Sequence, residues 1–467
     1  MRDLDRLCLA PAFEVAPLLR RRELSSEELV RALLARVERL NPRLFAYLTL
    51  LPETALAEAR RADAELARGE VRGPLHGIPI GIKDLIDVAG VVTSCGSRIL
   101  ARNEAKQDAT VVRRLRDAGC VIAGKLHLTE FAMMGYADGL PMPVNPRCAT
   151  RSPMGSSSGS GVAVAAGLCF GALGTDTGGS IRGPSAANGV VGLKPTWGRV
   201  SRHGVFPLAP SLDHVGPMSR SVADAAAMLD AMAGFDPLDP TSLREPSPNC
   251  VAALSAELRG LRVGLDESYV TTNTAPDTAR ACLEAVAALR ALGAEIVPVE
   301  VPAVDELIAC WATICASEAL AAHAEFWPSR SGEYGESFRS ILEFAEKIPV
   351  AEFTRAHALR LEWSGRLRSV FERADVLACP SGPVEALPVE LLPRDVRFTE
   401  NTAPFMRFTA PFDMSGSPTL SLPCGRSQEG WLYSLQLVGR HCEEALLCRT
   451  GHAYERATGW HRLHPAG

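Results

Sequence analysis

The sequence has no CxxC pair, no long run of basic residues and no apolar stretch long enough to span a bilayer. Without a basic face there is no electrostatic footprint for nucleic acid: 49 Lys and Arg stand against 54 Asp and Glu, leaving a net charge of −5 with neither sign concentrated. The longest uncharged apolar run, 160–174, is too short and too rich in glycine for a membrane helix. The first residues, MRDLDRLCLAPAFEVAPLLRRR, lack a continuous apolar segment followed by a cleavage site, so no signal peptide is expected. The 13 cysteines are odd in number and none stands at zinc-ligand spacing from a histidine. The closest pairs, Cys310/Cys315 and Cys442/Cys448, fall in apolar helical patterns and read as buried reduced thiols. A soluble, cytoplasmic protein without membrane or nucleic-acid partners is the expectation. Two nucleotide signatures are also missing, since no Gly-Lys-Ser/Thr follows the glycine clusters and neither cluster fits GxGxxG.

What is present is an ordinary globular mixture, 47% hydrophobic, in which strands and helices alternate. Ser25 and Glu28 form a capping box ahead of an apolar stripe (Leu29, Val30, Leu33, Leu34, Val37, Leu40), and Asn41-Pro42 should close that helix. A second helix spans about 53–68, with Gly69 as its stop. Ile78, Ile80 and Ile82 alternate in a short strand ending on Lys83, where Pro79 argues for an edge or irregular segment. On spacing alone, Lys83 beside Asp84 reads as a surface ion pair. A helix and a strand follow over 108–126, then His127 and Glu130, which read as a helix start or a structural pair more than as reacting groups. Met133 and Met134 fit a core, although flexible methionines also line apolar pockets. Beyond the Asp-, Pro- and Ser-rich loop at 235–250, a candidate subregion boundary, strands are expected at 261–265, 295–301, 375–380, 418–423 and 434–438. Helices separate them, and those around Trp311, Trp327 and Phe338 are either core or the wall of a pocket.

The stretch that organises the chain is MGSSSGSGVAVAAGLCFGALGTDTGGSIRGP, 154–184. Its two Gly/Ser clusters flank a small-residue apolar run, 162–173, that reads as a buried helix. Glycines in the turns expose backbone amides, and serines lie on both. Acyl transfer needs a nucleophile, a base and N–H donors for the oxyanion, and Thr177-Gly178-Gly179-Ser180 supplies consecutive amides beside a serine. No G-x-S-x-G elbow is present. A lysine whose pKa is lowered by burial can serve as base, and Lys83 is the candidate.

Together, Gly-Ile-Lys83-Asp, Gly155-Ser156-Ser157-Ser158-Gly159-Ser160 and Gly174-Thr175-Asp176-Thr177-Gly178-Gly179-Ser180-Ile181-Arg182 resemble the amidase signature family. The resemblance extends to SLDHVGPM (211–218), DVLACP (375–380) and the tail from 417 to 447. It implies an α/β fold with a central mixed β-sheet flanked by helices on both faces. It also implies one domain over 1–467, with the signature core at about 73–220 and a variable substrate wall at about 300–350. Carried over position by position, it makes Ser180 the nucleophile, Lys83 the general base and Ser156, on a cis peptide bond in the family, the proton relay between them. The amides of Thr177, Gly178, Gly179 and Ser180 become the oxyanion hole, and Asp176 and Arg182 shape the loop. Ala132, Met133, Met134 and Tyr136 should lie near the acyl pocket, with no metal or cofactor required. The chain departs from the family where Met154 replaces a frequent Gly and Gly161 a frequent Ala; Met154 would line or narrow the pocket.

The expected substrate is a small amide, with carbamates (urethanase activity) or related esters within the same chemistry. Two alternatives stay open at the level of sequence: the glutamine amidase subunit of a tRNA-dependent amidotransferase, and a catalytically silent binding protein on the same fold. LHLTEFAMMGYADG at 126–139 departs from the TNMDEFAMGSS typical of the amidotransferase, which favours a stand-alone hydrolase, while the intact Lys83, Ser156 and Ser180 speak against a silent protein. The resemblance also admits a homodimer.

Overall fold

In the computed structural model, which describes residues 4–382, 384, 387–391 and 403–465, the capping box expected at Ser25 is formed. Ser25 Oγ accepts from the Glu28 amide at 3.1 Å and Glu28 Oε2 accepts from the Ser25 amide at 2.9 Å. The helix it starts, Ser26–Leu44, runs past Asn41-Pro42. Pro42 lacks only its own N–H, and the turn closes instead where the Phe45 amide donates to Asn41 O at 2.8 Å with Phe45 left-handed.

Eleven strands of the described residues make one mixed sheet. In chain order they are β1 Tyr47–Leu50, β2 Pro79–Lys83, β3 Val121–Leu126, β4 Gly171–Asp176, β5 Val191–Lys194, β6 His214–Ser219, β7 Arg262–Leu265, β8 Glu295–Pro298, β9 Val376–Pro380, β10 Thr419–Arg426 and β11 Leu432–Gly439. Their spatial order is β1-β3-β2-β4-β6-β5-β10-β11-β9-β7-β8. The β3-β2-β4 and β9-β7-β8 groups are parallel and the other pairings antiparallel. Helices flank the sheet, which is the amidase-signature α/β layout expected from the sequence. The loop at 235–250 does not separate two sheets, since β5 on its N-terminal side pairs with β10.

The helix expected at 162–173 and the edge position expected for Pro79 also fail. The apolar run 162–173 is not one helix: Ser158–Ala165 is helical, Gly167 turns the chain at φ +69°, and β4 follows. A side chain at Gly167 would lie 2.8 Å from Cys8 O, so glycine is required at that turn. All six residues of β4 are buried, and a strand covered on both faces has the same apolar composition as a buried helix. Pro79 is likewise not on an edge strand, because β2 lies between β3 and β4. It is the strand's first residue, where a missing N–H is tolerated, and the register slips just after it, between Ile80 and Gly81. All 13 cysteines are unbridged, with Cys148 and Cys442 half-buried and the rest buried. Cys442 precedes the helix Glu444–Thr458 and does not belong to it. Among the described residues no helix is long and apolar enough to cross a membrane.

Candidate active site

β2 and β4 are parallel neighbours, so Lys83 at the end of one comes beside Thr175 near the end of the other. Lys83 is fully buried. Its Nζ donates to Ser156 Oγ at 2.7 Å, Ser157 Oγ at 2.9 Å and Thr175 Oγ1 at 2.8 Å. Hydroxyls do little to repay the desolvation of an ammonium group. Burial therefore lowers the Lys83 pKa from 10.5 to about 7, against a partial opposing pull from Asp176 and Asp213. The surface pair read from spacing does not exist. Asp84 is buried and pairs with Lys125 at 3.0 Å.

The Gly155–Ser156 peptide is cis. Ser156 O accepts from the Thr129 amide at 3.2 Å, and the next amide, Ser157, donates to Ser180 O at 3.3 Å, bringing the two Gly/Ser clusters together. Ser156 is fully buried and Ser180 half-buried. The Ser158–Ala165 helix is pressed against other backbone: a Cβ at Gly159 would sit 2.4 Å from Ala46 O, and one at Gly161 would sit 2.9 Å from Pro184 O. That contact explains glycine at position 161.

After β4 the chain makes the loop 177–180, and the buried Asp176–Arg182 pair sets its shape. Asp176 accepts from the amides of Gly179 (2.6 Å), Ile181 (3.0 Å) and Arg182 (3.3 Å), and from Arg182 Nε and Nη2 at 3.0 and 2.9 Å. Burial alone would raise the Asp176 pKa, but the guanidinium and these amides outweigh it and hold the carboxyl well below its usual range. Arg182 also reaches Asp413 Oδ2 (2.5 Å), Gln436 Oε1 (3.1 Å) and Thr409 O (2.9 Å). Asp176 and Arg182 therefore organise the loop. The four-amide oxyanion hole needs one correction, because the Gly179 N–H already serves Asp176. Among the described residues the Thr177, Gly178 and Ser180 amides have no such acceptor.

Compared with known proteins, residues 28–448 match the Amidase family. This chain belongs to the amidase signature family. AmiD of Mycobacterium tuberculosis is 44% identical over 463 residues, covering 99% of this chain and 97% of that protein. A glutamyl-tRNA(Gln) amidotransferase subunit of Geobacter metallireducens is 38% identical over 475 residues, covering 95% and 96%. Among solved structures, the native peptide amidase of Stenotrophomonas maltophilia superposes with a TM-score of 0.84 at 34% identity, covering 96% of this chain and 97% of that one. The chain is thus an amidase-family enzyme, a hydrolase acting on amides.

In this amidase the loop adjoins a cavity of about 290 Å³. Thr175 and Thr177 line it together with Asp213, and Leu85, Ala132, Val205, Phe206, Leu208 and Val215 form apolar walls. Of the residues expected at the acyl pocket, Ala132 lines this cavity; Met133, Met134, Tyr136 and Met154 are not on its wall. Met133 is buried, its carbonyl accepting from Thr129 Oγ1 at 3.2 Å, and Met134 is half-buried. Tyr136 packs edge-on against His127, with ring centroids 5.3 Å apart. Met154 is left-handed (φ +57°), a conformation glycine adopts without strain, and its Cε approaches Gly183. His127 and Glu130 do not pair: His127 Nδ1 meets Leu128 O at 3.0 Å, and Glu130 accepts from Ser97 Oγ at 2.6 Å and the Gly335 amide at 2.9 Å.

Sequence reasoning missed a buried lysine behind the loop, Lys194. Lys194 Nζ donates to Ser417 O at 2.7 Å and faces His214 Nε2 at 3.1 Å. With Nε2 accepting, His214 carries its proton on Nδ1, 3.2 Å from Asp176 O. Burial brings the Lys194 pKa to about 7, partly opposed by Asp413, and pushes His214 well below its ordinary value. The aromatics at 311–338 divide. Phe338 packs with Phe131, His323 and Tyr334, and Trp327 adjoins Tyr334. Trp311 instead reaches the 177–180 loop, its Nε1 donating to Thr177 O at 2.8 Å.

Proposed function

We propose that the chain is a stand-alone amidase that cleaves small amides through an acyl-enzyme on Ser180, with Ser156 as proton relay and Lys83 as base. The observation that carries this reading is the 2.7 Å contact between a fully buried Lys83 Nζ and Ser156 Oγ. A neutral amine keeps two N–H bonds and one lone pair. Ser157 Oγ donates to Thr175 O at 3.2 Å, so it is an acceptor toward the lysine, and Thr175 Oγ1 can take the second N–H. The lone pair then faces Ser156. Ser156 passes its proton to Lys83 and takes the proton of Ser180 as Ser180 Oγ attacks the carbonyl carbon. Collapse of the tetrahedral adduct breaks the C–N bond, and the amine leaves with a proton returned through Ser156. Water then attacks the acyl-enzyme by the same relay, releasing the carboxylic acid and free Ser180.

The apolar part of the neighbouring cavity's lining supports amides whose acyl part is aryl or bulky and apolar, set beside a polar side of Arg202, His203, Asp213 and Asp239, with carbamates and esters as secondary substrates. The similarity to the amidotransferase of Geobacter metallireducens supports a second reading, a glutamine amidase that needs partner chains. The test is turnover of an aryl anilide, an aliphatic amide, a urethane, glutamine and a 4-nitrophenyl ester by the purified chain, with Ser180→Ala alongside. Hydrolysis of the anilide or urethane, lost in the variant, is the expected result. Cleavage of glutamine alone, and only with added partner subunits, overturns it in favour of the second reading.

A further inference from the structure

We infer that Trp311 is a positioning residue for the oxyanion site: its indole N–H fixes the plane of the Thr177–Gly178 peptide and so aims the Gly178 N–H at the developing oxyanion. This rests on the Ser180 acyl-enzyme reading. A trans peptide is planar, with C=O and N–H pointing in opposite directions, so whatever holds the carbonyl of residue 177 also directs the amide of residue 178. Trp311, buried on the helix Asp305–Ala322, donates from Nε1 to Thr177 O at 2.8 Å. Indole nitrogen is a donor only, so this contact cannot reverse its sense.

Two further contacts isolate that peptide as the adjustable one. Asp176 Oδ1 takes the Gly179 N–H at 2.6 Å, and the Gly183 amide donates to Gly179 O at 2.7 Å, so the amides on either side of Gly179 are already directed. Thr177, Gly178 and Ser180 remain to face an oxyanion, so the direction of Gly178 sets one of three donors. Glycine at 178 and 179 would otherwise let the intervening peptides rotate freely. The indole also closes one side: a Cβ on Gly178 would meet Trp311 Cζ2 and Met406 Cε, each at 2.5 Å. The segment 300–350 thus reaches the 177–180 loop through a hydrogen bond.

The test compares the wild-type enzyme with Trp311→Phe, and with a form carrying 3-benzothienylalanine at 311, which keeps the ring shape and removes only the N–H. Kinetics on the best anilide or urethane are measured beside inhibition by a trifluoromethyl ketone of the same acyl group, which binds as a hemiketal oxyanion, and by the product carboxylic acid. The expected result is a kcat lowered about 10- to 100-fold with KM little changed, and ketone affinity weakened by the same factor. Affinity for the product acid stays unchanged. A wild-type kcat in both variants, or parallel weakening of ketone and acid, overturns the inference while leaving Ser180 as nucleophile. Retention of turnover by Ser180→Ala overturns the underlying reading itself. Should Trp311→Phe fail to fold, as a thermal melt would reveal, the benzothienyl form decides.

Discussion

Lys83 and Lys194 are both fully buried, both end a strand of the same sheet, and burial brings both to a pKa of about 7. What surrounds them differs. Lys83 faces three hydroxyls, each able to give or accept a proton, and one of them is Ser156. Lys194 faces two main-chain carbonyls, Ser417 O and Pro195 O, and a histidine ring whose other nitrogen points to Asp176 O. Carbonyls accept and never donate, and His214, which can exchange a proton, faces Asp176 O and Asp413 and not Ser156 or Ser180, so the second environment gives its amine no path to the serines. A lowered pKa marks both sites and does not tell them apart. The exchangeable partners do.

The sharpest way to break this contrast is to remove each amine in turn. Lys83→Met keeps the length of the side chain and deletes the base, so kcat/KM on the best substrate should fall by about 10⁴-fold or more. A drop of less than tenfold, measured on protein shown to be folded by circular dichroism, would remove Lys83 from the mechanism. A smaller effect is the pH limb. The neutral amine is the active form, so kcat/KM should rise with pH through about 7 and then level, falling about tenfold per unit below that point. An unbroken rise to pH 10 would mean that the lysine titrates where free lysine does.

The smallest expected change sharpens the comparison instead. In Lys194→Met the pH limb at about 7 should stay where it is, because that limb belongs to Lys83 alone. Stability should separate differently. For both lysines the folded pKa lies below the unfolded value, so between about 7 and 10.5 the unfolded chain binds more protons and stability rises with pH. Each Met variant should remove its own share of that slope, up to about 1.4 kcal/mol per pH unit, read from urea midpoints at pH 7.5 and 9.5. Loss of the kinetic limb in Lys194→Met would refute the division of labour drawn from the partners.

Part of the fold was legible because its signals are local in the chain. Ser25 with Glu28 and the stop at Gly69 are patterns of neighbours, and each has its counterpart in the structure; Lys83 and Ser156, which meet at 2.7 Å, are distant in the chain, and only the family resemblance paired them. The failures share another cause. Whether Val162 and Leu173 lie in one helix or in a helix and a strand depends on Cys8, far away in sequence, crowding Gly167. Lys83 next to Asp84 looked like an ion pair because the sequence does not reveal that Lys125 and Ser94 would claim the aspartate. The amide of Gly179 looked free until Asp176 was seen folded back onto it, and Trp311 was one aromatic among several until its N–H met Thr177. Composition reports burial well; it does not report who is buried against whom.

The spatial order of the strands has a consequence in time. β10 and β11 come last among the strands in the sequence yet lie in the interior of the sheet, between β5 and β9. Gln436 on β11 and Asp413 just before β10 are also partners of Arg182. A ribosome has therefore made Lys83, Ser156 and Ser180 long before it makes the strands that join the two flanks of the sheet and brace the loop. A nascent chain carries the proposed reacting residues before the strands that brace their loop, and that bracing is complete only once synthesis has passed residue 439.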